Sequence, residues 1–161
     1  GTGAQPILLS AVGRPRGART RPEWQGLLAE GGNAHVRLRH CRIEGAYTNT
    51  FWGAHAVLDS CEIVGNYHGI YCTRGAQVHI KGCRVCRNVY GVTANSAAPL
   101  LLGNTITDNT VGVYLEQSAG ELAGRNLIRL NDTDVKTDET LQHGTGAPSI
   151  RQLWDAVRQL Y

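Results

Sequence analysis

The residues best equipped for chemistry in this 161-residue chain are five cysteines, a group of aromatic residues around one histidine, and a scatter of carboxylates. Thiol pairs clasp metals or shuttle electrons, and Cys83-Arg84-Val85-Cys86 has the spacing of a Cys-x-x-Cys motif. In an extended strand, however, those two side chains point to opposite faces and cannot share one ion. No histidine stands at zinc spacing, no second cysteine pair exists, and Cys86 is not followed by the His that haem attachment requires. Neither a metal nor another cofactor is therefore expected. Cys41, Cys61 and Cys83 read as inward packing, Cys72 as sharing the inward phase of Trp52, Ala94 and Leu115, and Cys86 as outward. The odd count argues against an obligate disulfide framework.

Among the aromatics, Tyr47 and Tyr67 fall in one register, Phe51, Tyr71 and Tyr114 in another with Thr93 between, and Tyr90 and His68 stand close by. Rings repeating along an exposed face form a platform for sugars, since an aromatic combines apolar area with a polar rim. Phe51, Tyr67, His68, Tyr71, Tyr90 and Tyr114 are accordingly the candidate ligand-binding residues. Stacked rings also stabilise parallel sheets without any ligand, so both roles stand open. Cleaving a polysaccharide would need carboxylates converging on one face. Here they alternate with bases instead, Arg39, Asp59, Lys81 in one column and Arg42, Glu62, Arg84 in another, the pattern of ion-pair ladders. Joined by Arg37, His79 and Arg87, these columns could alternatively bind a polyanion. Only Asp132, Asp134, Asp138 and Glu139 cluster, and His68 lacks an acid or nucleophile partner, so no catalytic residue is assigned. A net charge of +3 is too small to indicate nucleic acid. No apolar run reaches the ~18 residues of a membrane span.

The elements that must position these residues show in a repeat. Five segments align on Cys41, Cys61, Cys83, Asn104 and Asn126, at intervals of 20, 22, 21 and 22 residues. Two residues after each anchor stands Ile43, Ile63, Val85, Ile106 or Ile128, and three before it Leu38, Leu58, Ile80, Leu101 or Ala123. Nine after come Thr50, Ile70, Val92, Val113 and Val135, preceded by Asn49, Gly69, Gly91, Gly112 and Asp134. Asn66, Asn88, Asn109 and Asn131 share a turn position, where Asn tolerates a left-handed backbone and can bond along a stacked ladder; the glycines are expected to serve the same backbone need. Apolar–polar alternation within three short segments per repeat marks strands with one buried face. Such a unit of about 21 residues buries that face only by stacking on copies of itself, about 4.8 Å apart. Twenty Gly against one Phe and no Met, with 18% charged residues, suits that turn-rich architecture. The expected fold is all-β: a right-handed parallel β-helix of about six rungs over residues 1–137, with a protruding basic loop around Arg14–Arg21. A linker follows over 138–147. An amphipathic helix over 148–161, with Ile150, Leu153, Trp154, Val157 and Leu160 on one face, is expected to cap the solenoid end or dock on another subunit.

Ser60-Cys61-Glu62-Ile63-Val64-Gly65-Asn66-Tyr67-His68-Gly69-Ile70 and Gly103-Asn104-Thr105-Ile106-Thr107-Asp108-Asn109-Thr110-Val111-Gly112-Val113 carry a family likeness, as does the opening Gly1-Thr2-Gly3-Ala4-Gln5-Pro6-Ile7 followed by Trp24-Gln25-Gly26-Leu27. In these segments the chain resembles the right-handed parallel β-helix repeat proteins of the pectate-lyase-like superfamily, including the NosD-like and carbohydrate-binding/sugar-hydrolase repeat groups. The resemblance implies fold more than activity, because that superfamily spans lyases, hydrolases, adhesins and scaffolds. It implies an extracellular or periplasmic setting, with a cytoplasmic one left open by similar repeats in eukaryotic F-box and spindle-associated proteins. The functional expectation is a non-catalytic scaffold or binding module with a glycan or another protein as partner. A polysaccharide-active enzyme, or a fragment of one, is the first alternative; an intracellular protein-interaction module is the second. The start at Gly1 reads as a processed product or an excerpt.

Overall fold

The computed structural model describes residues 1–11, 23–118, 122 and 124–137. Sixteen short strands follow one another: β1 (Ile7–Leu9), β2 (Leu28–Glu30), β3 (His35–Arg39), β4 (Cys41–Glu44), β5 (Thr48–Trp52), β6 (His55–Asp59), β7 (Glu62–Val64), β8 (His68–Thr73), β9 (Gln77–Lys81), β10 (Arg84–Cys86), β11 (Tyr90–Asn95), β12 (Leu100–Leu102), β13 (Thr105–Thr107), β14 (Val111–Glu116), β15 (Leu127–Arg129) and β16 (Thr133–Thr137). As far as β14, every third strand joins the same sheet, and β15 and β16 then extend two of the three. The leading sheet runs β3-β6-β9-β12, the middle sheet β1-β4-β7-β10-β13-β15, and the trailing sheet β2-β5-β8-β11-β14-β16, with all pairings parallel. This is a parallel β-solenoid of four complete three-strand turns with a partial turn at each end, about five turns rather than six. The expectation of a closing helix is corrected: among the described residues the chain is β throughout, with no helix. The residues on which that helix was expected, 148–161, and the linker before them lie outside the described residues.

Stacking puts like over like. Leu38, Leu58, Ile80 and Leu101 form one inward column and Ile43, Ile63, Val85, Ile106 and Ile128 another, and Ile70, Val92, Val113 and Val135 a third. The first turn departs from the expected register. Thr48 pairs with His68, but Thr50 pairs with Tyr71, because β5 has five residues against six in β8 and a bulge takes up the difference. The 20-residue repeat is short at this point, and a one-residue slip exchanges the faces of everything beyond it. Phe51 therefore pairs with Cys72 inside the core at 1% exposure, while Trp52 pairs with Thr73 and stands 40% exposed. Both expectations for these residues are corrected. Phe51 is core and Trp52 is surface.

Corners carry a different load. Asn66 donates from its backbone N–H and its Nδ2 to Asn88 Oδ1 at 2.9 and 3.0 Å, and from Nδ2 to the Ile43 carbonyl. Asn88 repeats this on Asn109, and Asn109 on Asn131. Asp134 Oδ1 ends the series by accepting from Asn131 N and Nδ2. The ladder was expected; its backbone was not. The left-handed residue is the one before each Asn, namely Gly65, Arg87, Asp108 and Leu130. Gly69, Gly91 and Gly112 do not adopt positive φ either; a Cβ on any of them would come within 2.5–2.6 Å of the carbonyl oxygen of the next turn. Their role is clearance, not conformational freedom.

Two outcomes test this arrangement. Phe51→Ala should destabilise by about 3–5 kcal/mol and Trp52→Ala by about 1 kcal/mol or less in urea unfolding; the reverse order would restore the unslipped register. Asn88→Ala takes the acceptor from the Asn66 backbone N–H and one of the two from its Nδ2 and should cost about 2–4 kcal/mol in the same assay, whereas an unchanged midpoint would show the ladder to be incidental.

Candidate functional site

Cys41, Cys61 and Cys83 are buried in the core column, as their spacing suggests, and all five cysteines are unpaired thiols. They continue a second ladder in which Asn104 and Asn126 carry amides. Asn104 N–H donates to Asn126 Oδ1 at 2.9 Å, Cys83 N–H to Asn104 Oδ1 at 2.8 Å, and Cys61 N–H to Cys83 Sγ at 3.4 Å. The thiol of Cys83 in turn reaches the Leu58 carbonyl, and that of Cys61 the Leu38 carbonyl, each at 3.5 Å. A thiol thus does weakly what the amide does well. A side-chain hydrogen bond between the two thiols, then burial, raises the Cys83 pKa, and the same thiol–thiol bond lowers that of Cys61. Burial alone raises Cys72. Buried thiols with raised pKa, as Cys72 and Cys83 have, are packing groups rather than nucleophiles.

Cys86 has the outward parity expected of it, in register with Val64 and Thr107, yet is fully buried. Val64 and Cys86 lie outside the internal core cluster. On the trailing sheet the outward column Thr48, His68, Tyr90, Val111, Thr133 also contains a buried member, Val111. The two columns flank the corner of left-handed residues, so their joint burial marks a re-entrant corner between the sheets.

From that corner an aromatic face spreads over the trailing sheet. Tyr47 and Tyr67 stack at 5.2 Å and 8°, as their shared register suggests. Tyr67 meets His68 and Tyr90 edge-on at 4.9 and 5.8 Å, and His68 stacks on Tyr90 at 4.8 Å and 13°. Tyr71 leans on His68 at 5.3 Å and Tyr114 on Tyr90 at 6.2 Å. Tyr71 and Tyr114 do share a column, but Thr93 separates them. Thr93 is 2% exposed although it points outward, which shows that the rings lie over the sheet instead of standing clear of it. His68 Nδ1 bonds Thr93 Oγ1 at 3.3 Å, and burial lowers its pKa, favouring neutral imidazole. Phe51 drops out of the set; the other five candidates, with Tyr47, make one unbroken run of rings.

Sequence reading missed the flank of this face. Exposed Trp52 lies beneath the Arg74 guanidinium at 4.8 Å, and Lys136 Nζ sits 4.7 Å above Tyr114. The short first repeat was the available signal for Trp52. A groove of about 480 Å³ is lined by Tyr47, Trp52, His68 and Tyr71 together with Leu28 and Glu30 of the neighbouring β2.

Charged columns elsewhere form partial ladders. Arg39 pairs with Asp59 at 3.3 Å, Arg42 with Glu44 at 2.8 Å and also with Glu62, and Arg84 with Glu62 at 3.3 Å. Among the described residues, no three His, Cys, Asp or Glu side chains are placed to hold a metal ion. Of the acidic cluster, Asp134 caps the Asn ladder, while Asp138 and Glu139 lie outside the described residues.

Residues 25–132 match a family model described as the right handed beta helix region. No curated protein and no solved structure matches the chain.

The thiol geometry generates a direct check. A thiol-specific reagent should label the folded protein slowly and recover all five cysteines once it is unfolded in denaturant. Recovery of three or fewer would mean that pairing, not thiol packing, holds these sulfurs.

Proposed function

Because the chain belongs to the right-handed β-helix family, whose turns repeat surface positions in columns, we propose that it is a non-catalytic binding module with a glycan laid along the aromatic face. The unbroken run of six rings from Tyr47 to Tyr114 carries this reading. Their side chains lie outside the internal core, and Tyr47 and Tyr67 are 46% and 36% exposed. Rings of this kind offer sugar faces apolar area, while phenol hydroxyls and the His68 Nε2 offer partners to sugar hydroxyls. Polysaccharide cleavage would ask for two carboxylates flanking the bond, and Glu30 is the single carboxylate among the groove-lining residues. The reading carries an extracellular or periplasmic setting with it. An intracellular protein-interaction module is the second reading, favoured by the five unpaired thiols.

The experiment compares the wild type with Tyr47→Ala/Tyr67→Ala on a glycan array and in thermal melts. Two stacking rings contribute about 0.5–1.5 kcal/mol each, so affinity for the bound glycan should fall roughly tenfold to a hundredfold with the melting temperature nearly unchanged. A wild type that binds no glycan, or a double variant that melts far earlier with its glycan affinity intact, would overturn the proposal and leave the rings as structure.

A further inference from the structure

The leading sheet presents a second surface, separate from the aromatic face and argued without it. Its outward columns are His35, His55, Gln77; Arg37, Val57, His79, Leu100; and Arg39, Asp59, Lys81, Leu102. The middle sheet neutralises its charges by pairing Arg42 and Arg84 with Glu44 and Glu62. The leading sheet does not. Three fixed cations, Arg37 and Arg39 on β3 and Lys81 on β9, face one carboxylate, Asp59 on β6, which already holds Arg39 at 3.3 Å. β12 adds no charge, and His40 follows β3 beside the same carboxylate.

A groove of about 340 Å³ crosses this face, and among its lining residues are His35, Arg37, His55, Gln77 and His79, all hydrogen-bond donors, with no carboxylate. The rings of His35 and His55 stack at 5.1 Å and 14°. Each ring carries an N–H donor beside the Arg37 guanidinium, so the groove offers hydrogen-bond donors and positive charge together.

We propose that the leading-sheet face binds a sulfated polysaccharide. Charge complementarity selects an anion. Each sulfate ester carries a permanent negative charge and accepts several hydrogen bonds, which the donors of the groove can supply. The cations are also spaced by apolar groups, Val57, Leu100 and the 43%-exposed Leu102, and a chain that alternates sugar faces with sulfates covers both kinds of surface. A dense phosphate chain would leave the apolar positions bare.

The test titrates dextran sulfate into the protein at one pH and fixed ionic strength, with neutral dextran and inorganic polyphosphate as further arms. The wild type should bind dextran sulfate and not neutral dextran. Arg37→Gln/Lys81→Gln, which removes two exposed cations of this face, should weaken binding about tenfold with the melting temperature unchanged, while Arg84→Gln on the middle sheet should keep the wild-type affinity. The proposal is overturned if the wild type does not bind dextran sulfate, if the double variant keeps the wild-type affinity, if Arg84→Gln weakens binding as much as the double variant, or if polyphosphate of equal charge binds more tightly.

Discussion

Peptide groups at the corners of a solenoid are buried without a strand partner in their own turn, and a buried N–H left unbonded costs as much as a lost hydrogen bond. In this chain the acceptor comes from the turn above. Asn88 Oδ1 takes both the backbone and the side-chain donor of Asn66, and Asn109 does the same for Asn88. The amide Nδ2 then closes on a carbonyl of the neighbouring strand, Ile63 for Asn88 and Val85 for Asn109. No buried side-chain polar atom among the described residues is left without a partner. Because each ladder joins equivalent atoms of successive turns, it pins their register. Core columns and surface columns alike follow from that registration.

Positions repeated in every turn were legible in the sequence for this reason. Ile43, Ile63, Val85, Ile106 and Ile128 announce a buried column by recurring at one phase. What recurs only once was not legible. The missing residue near Asn49 is visible as a 20-residue interval, yet nothing in the interval says whether a strand or a turn absorbs it, and Phe51 and Trp52 exchange faces on that choice. Parity also says which way Cys86 points, but not that a re-entrant corner would cover it. The aromatic site falls between these cases. Its residues were found by phase, whereas the stacking of His68 on Tyr90 and the cations over Trp52 and Tyr114 depend on side-chain torsions and on neighbours remote in sequence.

One backbone thus supports three unlike surfaces. The middle sheet pairs Arg42 and Arg84 with Glu44 and Glu62, the trailing sheet gathers rings around His68, and the leading sheet carries more bases than acids. The core is indifferent to these choices, since alternate residues of each strand face away from it. Surface chemistry can vary by column while the inward residues stay apolar.

The column Gly69, Gly91, Gly112 has a consequence for how such a molecule can grow. Each glycine sits under a carbonyl of the succeeding turn with no room for a Cβ, and the positions that lack glycine are those in the first complete turn, where Asn49 stands at a bulge, and in the last described one, where Asp134 turns back to cap the amides. A gene that lengthened this solenoid by tandem duplication would therefore succeed by copying an interior unit, and would jam by copying a terminal one into the middle. The steric gap beneath one backbone oxygen distinguishes the units that can be multiplied from those that can only finish the stack.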